Sequence, residues 1–109
     1  MISWSDFEKV DIRTGTVIEA KAFPKAKKPA FQLTIDFGEL GIKKSSAQIT
    51  KFYSPDTLIG QQVVAVVNFP PRQIADFVSE CLVLGIYDEN NDVVLLTPKH
   101  AVTNGLKIG

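Results

Sequence analysis

Chemistry-bearing side chains are scarce in this chain. Its 109 residues include one cysteine, Cys81, and one histidine, His100. A lone thiol cannot close an internal disulfide, so a reducing, cytoplasmic setting is the default expectation. Two N or S donors cannot complete the four-ligand shell of a structural zinc. A thiol nucleophile needs a base beside it and a third group to orient that base. Cys81 opens the apolar run Cys-Leu-Val-Leu and reads as a buried, inert thiol, while His100, between Lys99 and Ala101, reads as a surface residue. The phosphate-cradling pattern GxxxxGK followed by Ser or Thr is missing. Asp88-Glu89-Asn90-Asn91-Asp92 lacks the alternating ligands and closing glutamate of a calcium loop and reads as a hairpin turn. No catalytic residue, metal or cofactor is expected.

Long apolar runs are missing too. No stretch reaches eighteen residues, so no membrane insertion is expected. The opening MISWSDFEKVD has no basic region and no long apolar segment, and does not read as a secretory signal. Net charge is also absent, with twelve basic residues against twelve acidic ones. That balance counts against a dedicated nucleic-acid binder, whose phosphate affinity comes largely from Lys and Arg. The distribution is uneven, however. Seven lysines fall between Lys21 and Lys51 against only Asp36 and Glu39, so one lobe of a neutral surface is expected to be basic. The length implies one domain, 1–109. The 45% of hydrophobic residues builds a real but small core, the kind that a partner surface often supplements.

The patterns that are present are those of strands. Val63 to Val67 is apolar on both alternating faces, as in a strand buried on both sides, and the central strand is read over Val63 to Phe69. Pro70-Pro71 removes two donors and fixes two φ angles, which ends it. Ile12 to Phe23 alternates, with Ile12, Thr14, Thr16, Ile18, Ala20 and Ala22 on one face. Val17 is the apolar exception on the other face, and Gly15 is a candidate bend or bulge. Phe31 to Phe37 alternates cleanly, Gly38-Glu39-Leu40-Gly41 turns the chain, and Ile42 to Ile49 returns as a polar strand. Cys81 to Tyr87 reads as the fifth strand, followed by Val93 to Leu96. Ser3 or Ser5 caps a short helix through Asp6, Phe7 and Glu8, with Trp4 and Phe7 on one face. So short a helix must pack on something. Phe52 to Gly60 is an irregular or one-turn helical segment that plugs the barrel bottom. Ile74, Phe77 and Val78 are spaced as on a helix, in a piece short enough to be a loop. Pro24 to Pro29 is a lysine-rich loop, either a solvated connection or a basic lip beside a binding face. The tail 103–108 is expected to be tied down. The sum is an all-β, five-stranded small barrel.

Several of these motifs stand in a familiar order. Asn68-Phe69-Pro70-Pro71 followed by Ser79-Glu80-Cys81-Leu82 resembles the N-L/F-x-P and S-E-x-M/L motifs of the tRNA-binding domain, found alone or appended to some aminoacyl-tRNA synthetases. Asp11-Ile12-Arg13-Thr14-Gly15 and Ile35-Asp36-Phe37-Gly38 are similar to that family's first two strands. Within that superfamily, Cys81 in place of the usual glycine and Leu82 in place of the common methionine resemble the CsaA branch of secretion-related chaperones. The resemblance implies an OB-fold. It also implies a homodimer joined through the N-terminal helix and terminal segments, for which Trp4, Phe7 and the apolar tail are suitable.

Two functions follow as expectations. The CsaA resemblance implies a chaperone-like protein that binds unfolded or precursor polypeptides before export, with the export machinery as a further partner. The wider family implies tRNA binding. In that family the serine and methionine of the S-E-x-M motif contact RNA; Ser79 keeps the hydroxyl, and Leu82 keeps the apolar contact without the flexible thioether. Ser79 reads equally as a turn or cap residue. Strand geometry adds Lys43, Lys44, Ser46 and Gln48, since the binding face of a five-stranded barrel falls on its second and third strands; that polar strand reads equally as plain solvent-exposed surface. Asn68 is counted with the binding face as well, although fixing the rim by bonding freed backbone groups is its first reading. A continuous positive stripe around Lys43 and Lys44 would favour RNA, and apolar pockets bounded by that charge would favour peptides.

Overall fold

Strand β1 (Ile12–Ala22) is the one on which the others are built. The computed structural model describes residues 1–109. In it, Ile12 to Thr16 of β1 pairs antiparallel with β4 (Gln62–Val66), and Thr16 to Ala22 pairs antiparallel with β2 (Phe31–Asp36). A strand that serves two partners in succession has to curve, and a bulge between Val17 and Glu19 provides the bend. β3 (Ile42–Ala47) pairs with β2 after a 3-10 turn, Gly38–Leu40. β7 (Leu82–Val83) pairs with β4. The sheet order is β3-β2-β1-β4-β7, which a nearly closed antiparallel barrel follows. This is the all-β, OB-type barrel expected from the sequence.

The bulge corrects the faces read from alternation. An extra residue at Ile18 puts Val17 and Ala20 inward, so Val17 is fully buried and Ile18 is 44% exposed. Once the register slips by one residue, every side chain changes side. Gly15 is not the bulge. A Cβ there would lie 2.7 Å from Ile35 Cγ2 and 2.8 Å from two ring carbons of Phe37, so a glycine lets the core press against the backbone.

The core gathers around Phe37, Leu33, Ile35, Leu58, Val17 and Val63, all fully buried or nearly so. β4 is buried on both faces from Val63 to Val66, although it starts and stops earlier than the sequence reading had it. Leu58 comes from helix α2 (Pro55–Leu58). The Ser54 hydroxyl accepts the Thr57 N–H, and Pro55 occupies the first turn, where its missing N–H costs nothing. In α1 (Trp4–Glu8) the cap is Ser3, not Ser5: its hydroxyl accepts the Asp6 N–H at 3.2 Å, and its own N–H donates to Asp6 Oδ2 at 3.0 Å. The tail is held where β2 leaves the edge of β1 free. Thr14 N–H donates to Leu106 O at 3.1 Å, Gly105 N–H to Thr14 O at 2.7 Å and Ile108 N–H to Ile12 O at 2.8 Å. Gly105, at φ +90°, is pressed against the carbonyl of Phe37.

Two further expectations are corrected. Residues 72–79 form neither a helix nor a loop but a hairpin, β5 (Arg72–Ile74) with β6 (Phe77–Ser79). Its turn has no glycine; Ala75 takes the left-handed conformation at φ 53°. Phe77 anchors the hairpin in a small second core against Phe23, ring to ring at 5.4 Å. The supposed strand from Cys81 to Tyr87 is divided between two partners. Leu84 N–H still donates to Val64 O on β4, at 2.8 Å, while its carbonyl accepts the N–H of Leu96 at 3.2 Å. From there the chain runs as β8 (Gly85–Tyr87) in a hairpin with β9 (Val93–Leu95). No helix is long and apolar enough to cross a membrane.

Candidate functional site

The seam that closes the barrel and the groove beside it are made from the same residues. β3 lies at the sheet edge, and its outward-facing backbone groups need partners. A short segment ahead of β7 supplies them. Glu80 N–H donates to Lys44 O at 2.7 Å, and Lys44 N–H donates to Glu80 Oε1 at 2.9 Å. Ser46 N–H donates to Ser79 Oγ at 3.1 Å. Below them, the buried Ser45 hydroxyl donates to Cys81 O at 2.9 Å. Two side chains thus stand in for strand backbone.

Against this seam lies a groove of about 470 Å³, lined by Ser46, Phe69, Pro70, Arg72, Ile74, Ser79, Glu80, Cys81 and Leu82. Phe69 and Pro70 come from the stretch after β4, the hairpin supplies Arg72 and Ile74, and Leu82 opens β7. Phe69 is 55% exposed and Leu82 48% exposed. Exposed apolar groups gathered in one concavity mark a binding surface, whereas the same groups scattered singly would not. The charge in the lining is one guanidinium and one carboxylate.

Three of the residues expected at the site meet here: Ser46, Ser79 and Leu82. Lys44 alternates with Ser46 along β3, and Gln48 follows one residue past its end; both are exposed. Lys43 alternates the other way, with buried Ser45, so the two lysines do not form one stripe. Asn68 stands apart from the groove lining. Its Oδ1 accepts the Asp11 N–H at 3.0 Å and its amide donates to Lys9 O at 2.7 Å, tying the exit of α1 to the end of β4. Sequence reasoning missed Phe69, Pro70, Arg72, Ile74, Glu80 and Cys81 as lining residues. Phe69 was legible as an aromatic held beside two prolines. Arg72 and Ile74 were not, because their hairpin turn carries no turn signature.

Cys81 sits at the floor of the groove. Burial pushes its thiol up to about 11 from an ordinary 9.0, with the Ser45 hydroxyl and the Lys43 charge opposing and Glu80 assisting. The thiol is therefore protonated at neutral pH and is a poor nucleophile. Ile2, Ser3, Trp4, Phe7 and Gly109 surround a second hollow of about 390 Å³. Trp4 is 67% exposed and its ring lies 5.4 Å from that of Phe7.

A small barrel with an apolar groove on its rim defines an OB-type binding module. The family model described as "Putative tRNA binding domain" matches residues 12–107. The chain is 36% identical over 107 residues to the methionine--tRNA ligase of Porphyromonas gingivalis, covering 98% of this chain and 15% of the ligase, so it spans only a small part of that enzyme. Solved structures match over the whole chain. The chaperone CsaA from Bacillus anthracis is 58% identical with a TM-score of 0.95, covering 100% of this chain and 99% of that one. The CsaA chaperone protein from Picrophilus torridus is 51% identical with a TM-score of 0.93, covering 100% of both chains. The chain belongs to the tRNA-binding-domain family and, within it, to the CsaA group.

Proposed function

We propose that this chain acts as one chaperone-type binding unit, homodimeric and cytoplasmic, that holds unfolded or precursor polypeptides, including those awaiting export, and catalyses no reaction. The observation that carries the reading is the apolar groove with no net charge in its lining. Seating a single apolar side chain there contributes about 1.5 to 3 kcal/mol, whereas an exposed ion pair contributes about 0 to 1 kcal/mol, so apolar contact dominates. The likeness to proteins described as CsaA chaperones supports the same ligand. The hollow bounded by Trp4 and Phe7 supports dimerisation through the N-terminal helix.

A second reading, tRNA binding, draws on the family match and on Lys27, Lys28 and Lys44, all exposed and none in an ion pair. Salt separates the two. Binding of the purified chain to an unfolded precursor polypeptide and to bulk tRNA is compared across a salt titration. Peptide binding that persists in moderate salt, with weak tRNA binding, is the expected result. Tight tRNA binding that falls steeply with salt, without peptide binding, makes this an RNA module instead.

A further inference from the structure

Arg72 is the only cation in the groove, and it is unspent. The ion pairs of the molecule are Lys9–Asp6, Arg13–Asp11 and Lys25–Asp76; none includes Arg72. The acid of its own hairpin, Asp76, is held by Lys25 at 2.9 Å. Glu80, the acid in the lining, uses Oε1 to accept the Lys44 N–H. Arg72 faces Ser79 across the β5–β6 ladder and is exposed, beside the apolar surface of Phe69, Ile74 and Leu82. A guanidinium is a rigid planar fork of donors that fits a carboxylate through two parallel hydrogen bonds.

We propose that Arg72 makes the groove selective for polypeptide segments in which an apolar anchor residue is flanked by a carboxylate. The proposal rests on the groove being the polypeptide site. An apolar residue of the ligand lies against Phe69 and Leu82, and the neighbouring Asp or Glu, or a C-terminal carboxylate, pairs with Arg72. Charge complementarity favours this occupant over RNA. The lining holds one cation and one anion, whereas nucleic-acid sites gather several cations. A peptide needs one acidic group in one place.

The test uses fluorescence anisotropy with the full chain and three labelled peptides. They share a leucine anchor and carry Asp, Asn or Lys beside it. The Asp peptide is expected to bind about three- to ten-fold more tightly than the Lys peptide, in keeping with a charge-assisted pair at a partly exposed rim. Arg72→Glu reverses the order, and Arg72→Gln removes it, with the thermal midpoint unchanged because the side chain is exposed. Equal binding of the three peptides by the wild type, or an order that Arg72→Glu leaves intact, overturns the proposal. Phe69→Ala distinguishes the two levels. If it weakens all three peptides while they bind equally, the groove reading stands and the role of Arg72 falls. If it weakens none, the groove reading itself falls. A labelled single-stranded RNA that binds through Phe69 and is lost with Arg72→Glu, while peptides remain unranked, reassigns Arg72 to a phosphate.

Discussion

Ser79 and Glu80 each do with a side chain what a strand does with its backbone. Ser79→Ala leaves the Ser46 N–H without its acceptor, and Glu80→Ala does the same to Lys44. Each is expected to cost about 1 kcal/mol, the usual net worth of such a bond. Glu80→Gln keeps a carbonyl oxygen in the position of Oε1 and should unfold close to the wild type. Urea denaturation followed by far-UV circular dichroism distinguishes the three; a Glu80→Gln as weak as Glu80→Ala would mean that charge, not the acceptor, matters. Cys81 adds a pH dependence. Its folded thiol keeps the proton where the unfolded one has lost it. Stability is therefore retained below the ordinary 9.0 and declines toward about 11, at about 1.4 kcal/mol per pH unit. Urea midpoints measured across that window should fall faster for the wild type than for Cys81→Ala, and parallel curves would exclude the thiol as the cause.

Among the elements, β1 makes the sharpest demand. Gly15→Ala forces a methyl group into Ile35 and the ring of Phe37, and overpacking of this kind costs about 1 to 3 kcal/mol. A thermal midpoint lowered by several degrees is the expected result; an unchanged midpoint would mean that β1 can shift away from the core. The same strand marks where sequence reasoning holds and where it stops. Its length and its pairing into a five-stranded barrel follow from alternation and turn residues, whereas the source of its curvature was misplaced at Gly15. Its inner face does not follow either, because the bulge at Ile18 is one extra residue with no glycine to announce it. The β5–β6 hairpin was unreadable for a similar reason, since Ala75 takes a left-handed backbone that its side chain disfavours. Three of the nine lining residues, Arg72, Ile74 and Ser79, stand on that hairpin. This is why Ser79 and Leu82 could be read from the motif, while Arg72 and Ile74 needed the fold. The alternation that separates Lys43 from Lys44 was legible in principle, because neighbours on a strand face opposite ways.

For the whole molecule, the N-terminal aromatics test assembly. If two copies meet through Trp4 and Phe7, Trp4→Ala shifts sedimentation from dimer to monomer, and wild-type tryptophan emission moves to the red on dilution. A dimer that persists in Trp4→Ala would place the interface elsewhere. The barrel seam has a consequence of another kind. Backbone ladders are indifferent to sequence: most substitutions in β1 or β4 leave the donors and acceptors where they were. Closure of β3 against the segment ahead of β7 has one backbone bond, Glu80 N–H to Lys44 O, and otherwise rests on the side chains of Ser45, Ser79 and Glu80, so single codon changes can weaken or restore it while the rest of the sheet persists. A lineage can therefore widen or narrow the groove without redesigning the fold, and hydrogen exchange should find the amides of Lys44 and Ser46 among the first of the barrel to open.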